Sequence, residues 1–134
     1  MIVNGHGGNY VLSNIVQEAN VDGPTVTLFP LGADWDRARD HAGLASDHHA
    51  DMHAGEIETS ILLHAAPELV RDGFADADHD GVSRPFLLVQ GTSAYTETGV
   101  IGFPSHATAA KGKAVLASLA DSFAGHLEIL GPNS

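Results

Sequence analysis

The sequence contains no cysteine. That excludes disulfides, thiolate metal sites and a thiol nucleophile. It is also poor in positive charge, with Lys+Arg 6 against Asp+Glu 17 and a formal net charge of -11. A surface that acidic repels nucleic-acid phosphates and anionic lipid surfaces, so neither nucleic acid nor membrane is expected as a partner. It suits a protein that gathers cations. No apolar run approaches the ~20 residues needed to span a bilayer. Met1 is followed at once by a glycine turn, so no signal peptide is expected and the expected compartment is the cytoplasm. Aromatic residues are scarce, and Trp35 is the single tryptophan. It packs in a core or interface, or it forms a wall of a substrate pocket.

What is present is an ordinary domain's worth of chain. The 134 residues are 43% hydrophobic, enough for a core, and one domain over 1–134 is expected. Nine histidines are many for this length; any that bind metal must be neutral.

The chain is organised around its opening, Ile2-Val3-Asn4-Gly5-His6-Gly7-Gly8-Asn9. Two β-branched residues run into a glycine turn that carries a histidine. Glycine lets backbone approach a ligand closely, and the end of a strand in an α/β sheet is the usual ligand crevice. Val11, Leu12, Ile15, Val16 and Ala19 then recur at helical spacing, with Asn9 or Ser13 as the cap and Asn20 to Pro24 as the stop. Thr25 to Phe29 reads as a strand. Strand, helix, strand predicts a βαβ unit and a parallel sheet. Pro30 to Asp34 reads as a turn and Asp36 to Ala45 as a short helix.

The second informative stretch runs from Asp47 to Ser60. Six of its residues can bind a metal or carry a proton: His48, His49, Asp51, His53, Glu56 and Glu58. A helix follows Gly55, with Ile57, Ile61, Leu62 and Ala65 as its expected apolar face and Pro67 closing it. Glu58 falls in the first turn, where the helix favours a negative charge; it is a site residue or a solvated acidic start. Asp76 to Gly81 resembles the first half of a calcium loop, but the twelfth position is Leu87, so it reads as an acidic turn. Phe86 to Val89 reads as a short strand or packed loop, and Gly91 to Pro104 as a long surface loop. Ser105 to Phe123 reads as a helix, Leu127 to Leu130 as a last turn or short strand, and Gly131 to Ser134 as a tail.

Three motifs in order resemble one family. Val3-Asn4-Gly5-His6-Gly7-Gly8-Asn9, then His53-Ala54-Gly55 with Glu58-Thr59-Ser60, then Gly99-Val100-Ile101-Gly102-Phe103-Pro104 with Ala107-Thr108-Ala109 and Lys111-Gly112, are similar to the creatininase family. Within it the likeness is strongest to the mycofactocin-system branch of peptidases. The resemblance implies a three-layer α/β/α fold around a mainly parallel sheet. It implies an amidohydrolase that opens a C–N bond of a cyclic amide or peptide amide with a metal-activated water, the precursor peptide of the mycofactocin system included. The implied cofactors are zinc or manganese, with iron as a third candidate, and the implied assembly is a homo-oligomer, a hexamer in the family.

Carried over residue by residue, the resemblance makes His6 a metal ligand and His53 the catalytic acid or base. Some members have a carboxylate ligand where this chain has Gly8, so Glu58 becomes the second metal ligand. Gly7, His49 and Asp51 fall where substrate-contacting residues occur, and Asn4 and Asn9 are expected to brace the turn. The family's Glu-x-His segment and downstream aspartate have no counterpart here, so the chain is expected to be a C-terminal portion. Two other classes follow from that expectation: a catalytically incomplete partner of a full-length creatininase-type subunit, and an acidic metal buffer.

Overall fold

The computed structural model describes residues 1–81 and 83–131. The chain divides into two compact units, one comprising Met1–Arg37 with Ala117–Ser134 and the other Ala38–Leu116.

In the first unit the glycine turn does what its composition predicts. β1 (Ile2–Val3) leads through it into α1 (Val11–Ala19), which returns to β2 (Leu28–Phe29). The strands pair in parallel, Ile2 opposite Leu28 and Val3 opposite Phe29. This is the expected βαβ unit, but β2 is shorter than Thr25 to Phe29. The register leaves Thr25 and Val26 with no β1 residue opposite, and Asn20 takes their backbone groups instead. Its side-chain oxygen accepts the N–H groups of Thr25 and Val26 at 2.7 and 2.9 Å, and its amide donates to the Val26 carbonyl. A side chain thus takes the backbone groups that a longer ladder would need. α1 starts without a side-chain cap; Asn9 donates instead to Asn4 Oδ1.

α2 (Gly32–Ala42) begins earlier than expected. Asp34 Oδ2 accepts the Leu31 N–H at 2.8 Å, which converts the expected turn into a helix start. α5 (Ala109–Leu130) runs on past Phe123 and absorbs Leu127 to Leu130 as helix. Within this unit Phe29 packs edge-on to Phe123 and to the ring of His126, both with centroids 5.2 Å apart. Buried His126 joins Asp34 (Nε2 to Oδ2, 3.0 Å) to Thr27 (Nδ1 to Oγ1, 2.8 Å). Burial pushes the Asp34 carboxyl up, but the Leu31 N–H and His126 outweigh it and hold it below the usual range.

The second unit is built around α3 (Glu56–Ala65). Its buried residues are Glu56, Ile57, Thr59 and Ser60, not the predicted Ile57–Ile61–Leu62–Ala65 face, and Leu62 is exposed. The cause is close helix packing. A Cβ on Gly112 of α5 would lie 1.9 Å from the Ser60 carbonyl oxygen, so only glycine fits there. Phe86 to Val89 is neither strand nor packed loop: α4 (Leu87–Gln90) is a single exposed turn. The stretch from Gly91 to Pro104 is not all surface. Ile101 is fully buried, and isolated antiparallel bridges tie it to His53 and Gly102 to His79. In the acidic turn, the Asp78 carboxylate accepts the N–H and hydroxyl of Ser105. Of the predicted tail, residues 132–134 lie outside the described residues.

Candidate functional site

Asp47 opens the histidine-rich stretch with a tight turn. Its Oδ1 accepts the N–H groups of His49 and Ala50, both at 2.8 Å. Those two bonds, Ala50 first, keep its carboxyl below the usual range. His49 is exposed, and Arg84 Nη2 donates to its carbonyl at 2.7 Å.

Asp51 turns the other way. It is buried, and its Oδ2 accepts from Arg39 Nη1 at 3.1 Å and from the Ile57 N–H at 3.0 Å. It therefore caps the first turn of α3 while neutralised by an arginine. Among the described residues its Oδ1 has no hydrogen-bond partner, and it lies against the backbones of Gly55 and Gly102. A Cβ on Gly55 would stand 1.8 Å from that oxygen and one on Gly102 2.7 Å away. The residue expected at the substrate is thus occupied in locking the loop.

His53 follows, with its ring exposed. Its N–H and carbonyl pair with Ile101 at 2.9 and 2.8 Å. Its Nδ1 lies 2.6 Å from the carbonyl oxygen of Gly99. A carbonyl only accepts, so Nδ1 carries a proton, and the tautomer this selects has its lone pair on Nε2. Ala54 then adopts φ 52°, the one described non-glycine residue in the left-handed region. Its N–H donates to Glu58 Oε2 at 2.5 Å. The turn carrying His53 is therefore gripped by Gly99, Ile101 and Glu58 together. Backbone strain held by its surroundings in this way marks functional sites more often than others.

Glu56, two residues before Glu58, is fully buried and serves the fold. It accepts the Ala45 N–H, the N–H and hydroxyl of Ser46, and Lys111 Nζ at 2.6 Å. Burial pushes its carboxyl up, but Lys111, Ser46 and the two N–H groups bring it down to about 2.

The opening turn belongs to the other unit. Asn4 braces it, its Nδ2 donating to the His6 carbonyl and its Oδ1 accepting from the His6 N–H and Asn9 Nδ2. His6 is exposed, its Nε2 folded over Gly8 so closely that a Cβ there would come within 2.7 Å. Gly7 is exposed beside it.

The structure brings His53, Glu58 and Asp51 together around one turn, with His49 on the same loop; His6 and Gly7 lie in the first unit. Among the described residues no group of three or more His, Asp or Glu side chains is disposed to hold a metal ion. The residues present therefore do not make a complete metal site by themselves. Sequence reasoning gave no role to Arg39, which holds Asp51, and quoted Gly99 and Lys111 in its motifs without foreseeing their contacts with His53 and Glu56. The only signal was the glycines at 55, 102 and 112.

The family model for creatininase (creatinine amidohydrolase) matches residues 1–127. The chain is 34% identical over 125 residues to a mycofactocin precursor peptide peptidase of Mycobacterium ulcerans, covering 90% of this chain and 44% of that protein. It is 35% identical over 125 residues to one of Mycobacterium tuberculosis, with the same coverage. It is 30% identical over 140 residues to one of Mycolicibacterium smegmatis, covering 99% of this chain and 50% of that protein. The chain thus spans about half the length of these relatives. No solved structure matches it.

Proposed function

We infer what the chain does from one premise: it belongs to the creatininase (creatinine amidohydrolase) family. The reading is that it carries part of a hydrolytic centre that opens a C–N amide bond by attack of water. Its named relatives favour a peptide amide, the mycofactocin precursor peptide, over a small cyclic amide. The observation that carries the reading is the His53 turn. The Gly99 carbonyl fixes the ring's tautomer, so Nε2 accepts a proton from the attacking water and later returns it to the departing nitrogen. Such proton transfer contributes about 10²–10⁴-fold in rate.

The family is generally metal-dependent, with zinc, manganese or iron as the candidates. In this reading His6 and Glu58 are ligands contributed to a set that other residues complete. A three-layer sheet fold, assembly of like subunits, substrate contacts from Gly7 and His49, and a cytoplasmic location complete it, while Asp51 holds the loop.

A second reading keeps the family and drops the catalysis: an incomplete partner that associates with a full-length creatininase-type subunit. The partial span of the relatives favours keeping it. One chimera separates the two. Let this chain replace the matched region of the Mycolicibacterium smegmatis relative, and follow cleavage of the mycofactocin precursor peptide by mass spectrometry. Cleavage that falls at least 100-fold in His53→Gln, with the fold intact by circular dichroism, is expected. A folded chimera with no cleavage overturns the hydrolase reading in favour of the second. Two tight zinc sites per isolated chain, read by calorimetry, would overturn the shared-ligand part.

A further inference from the structure

The first unit holds a hydroxyl, an imidazole and a carboxylate in series. Thr27 Oγ1 lies 2.8 Å from His126 Nδ1, and His126 Nε2 lies 3.0 Å from Asp34 Oδ2. Asp34 also accepts the Leu31 N–H, and its carboxyl is held below the usual range, so it is ionised near neutral pH. A carboxylate only accepts, so His126 carries a proton on Nε2. The tautomer this selects has its lone pair on Nδ1, facing the Thr27 hydroxyl. The hydroxyl's other contact, the Leu28 carbonyl at 3.5 Å, is too long to compete for its proton. Phe29 sits edge-on to the imidazole and steadies the ring. A hydroxyl beside a base, with the base oriented by a carboxylate, is the arrangement that activates a nucleophile, whatever the fold or chain order.

The two ends of this series face different surroundings. Asp34 and His126 are buried. Thr27 is half-buried and borders an open cleft of about 500 Å³. Val16, Val26, Leu28, Leu31 and Ile129 make the walls largely apolar. Neither β1 nor the opening glycine turn contributes to them. The opening lies at the hydroxyl end, and its volume is that of a small-molecule site.

We propose that Thr27 is an acyl-accepting nucleophile for esters with an apolar acyl chain. The chain seats among Val16, Leu31 and Ile129. Thr27 Oγ1 bonds to the ester carbonyl carbon as its proton passes to His126 Nδ1. The bond from that carbon to the alkoxide then breaks. The alkoxide takes the proton from Nδ1 and leaves as an alcohol, and Thr27 keeps the acyl group. Asp34 stabilises the imidazolium between the two steps. The net charge of -11 disfavours anionic esters. The site shares no residue with the His53 turn, so it stands or falls apart from hydrolysis there.

The test incubates the chain with p-nitrophenyl butyrate and follows its mass. A butyryl group on Thr27 is expected, located by peptide mass spectrometry. Thr27→Ser should keep the adduct, and Thr27→Val, which keeps the β-branched shape, should lose it. His126→Gln should slow acylation at least 100-fold and Asp34→Asn at least tenfold, with the fold followed by circular dichroism. Leu31→Trp narrows the cleft without changing the three side chains and should slow acylation at least tenfold. His64→Gln, at an exposed position of the other unit, should leave it unchanged. No adduct on Thr27, or one formed as fast in folded His126→Gln, Asp34→Asn and Leu31→Trp, would overturn the proposal.

Discussion

The two units of this chain are finished to different degrees. The second is closed on itself, with only Asp51 Oδ1 and Arg39 Nε buried without a hydrogen-bond partner among the described residues. Its buried charges are paired, Glu56 with Lys111 and Asp51 with Arg39, and its elements approach so closely that Gly55, Gly102 and Gly112 have no room for a Cβ. The first has one closed side, where Phe29, Phe123 and His126 meet, and one looser side, where Val3 is exposed and α1 has half-buried Leu12 and Val16 but no fully buried residue. Polar groups in the interior must be matched within reach or they cost stability; apolar faces can wait in water for a partner at a smaller cost. The unit that carries His53 is therefore held by its own residues, and the unit that carries His6 leaves more apolar surface exposed.

The comparison breaks first at Glu56. Glu56→Ala would orphan the Lys111 ammonium, the Ser46 hydroxyl and the N–H groups of Ala45 and Ser46. Removing one partner of a buried ion pair costs on the order of 3–5 kcal/mol, so urea unfolding should show a loss of that size. The same group predicts an acid limb. Its carboxyl sits at about 2 in the fold against 4.5 when unconstrained. The folded value is the lower one, so the stabilisation is present in full above pH 4.5 and disappears as pH falls toward 2. A shift of that size corresponds to about 3 kcal/mol. Glu56→Gln should flatten this part of the stability–pH curve; an unchanged slope would mean that the pairing with Lys111 contributes little.

Gly112→Ala comes next. The new methyl would meet the backbone of Ser60 and Ile61, at 1.9 Å from the Ser60 carbonyl oxygen, and backbone cannot rotate aside. Overpacking of this kind costs roughly 1–3 kcal/mol, although alanine is the better helix former. A stability gain from Gly112→Ala in urea melts would show that α3 and α5 are not in contact there. Gly125, on the same helix, has nothing within 4 Å of an added Cβ. Gly125→Ala is the matched control and should stabilise by about 1 kcal/mol.

These positions also show what the sequence made legible. The glycine turn, the helical spacing of Val11 to Ala19 and the β-branched run after it led to β1–α1–β2 correctly, because all three signals are local. Gly55 likewise marks the start of α3. Glu56 and Glu58 both read as residues able to bind a metal, and the resemblance singled out Glu58 alone. Lys111, 55 residues away in sequence, together with Ala45 and Ser46, separates a buried structural carboxylate from an exposed one. Ile101 looked like part of a surface loop because its partner is His53, across another long separation. The candidate site was legible as residue types, and its grip on the His53 ring was not, because the Gly99 carbonyl has no signature in a sequence. The family likeness was legible from the same three motifs that the family model matches.

Ala54 sharpens the comparison on the side of the site. A left-handed alanine costs roughly 1 kcal/mol, and here the Glu58 carboxylate and the His53–Ile101 bridge hold it there. Ala54→Gly should relieve that strain and leave stability within about 1 kcal/mol of the parent, the gain offset by a looser unfolded chain. Glu58→Gln should weaken the hold on the Ala54 N–H and let the His53 ring depart from Gly99. Nitrogen chemical shifts of the imidazole report this directly, since the fixed tautomer should give way to a mixture. A ring still protonated only at Nδ1 in Glu58→Gln would show that Gly99 suffices alone.

The smallest effect is expected where the surface is most apolar. Ile15 is 47% exposed on a helix that buries nothing. Ile15→Lys replaces a half-exposed side chain, and lysine is slightly the better helix former, so the stability of the isolated chain should change by less than about 1 kcal/mol. The same substitution in an ordinary core helix would cost several times more. Because the chain carries a net charge of -11, a new lysine also lowers self-repulsion slightly. Urea melts of Ile15→Lys beside Ile57→Lys separate the two units cleanly: Ile57 is buried in α3, and its replacement should unfold the chain. A loss of 2 kcal/mol or more in Ile15→Lys would mean that α1 is already packed in solution, and the contrast between a closed unit and an open one would fail at its weakest-held element.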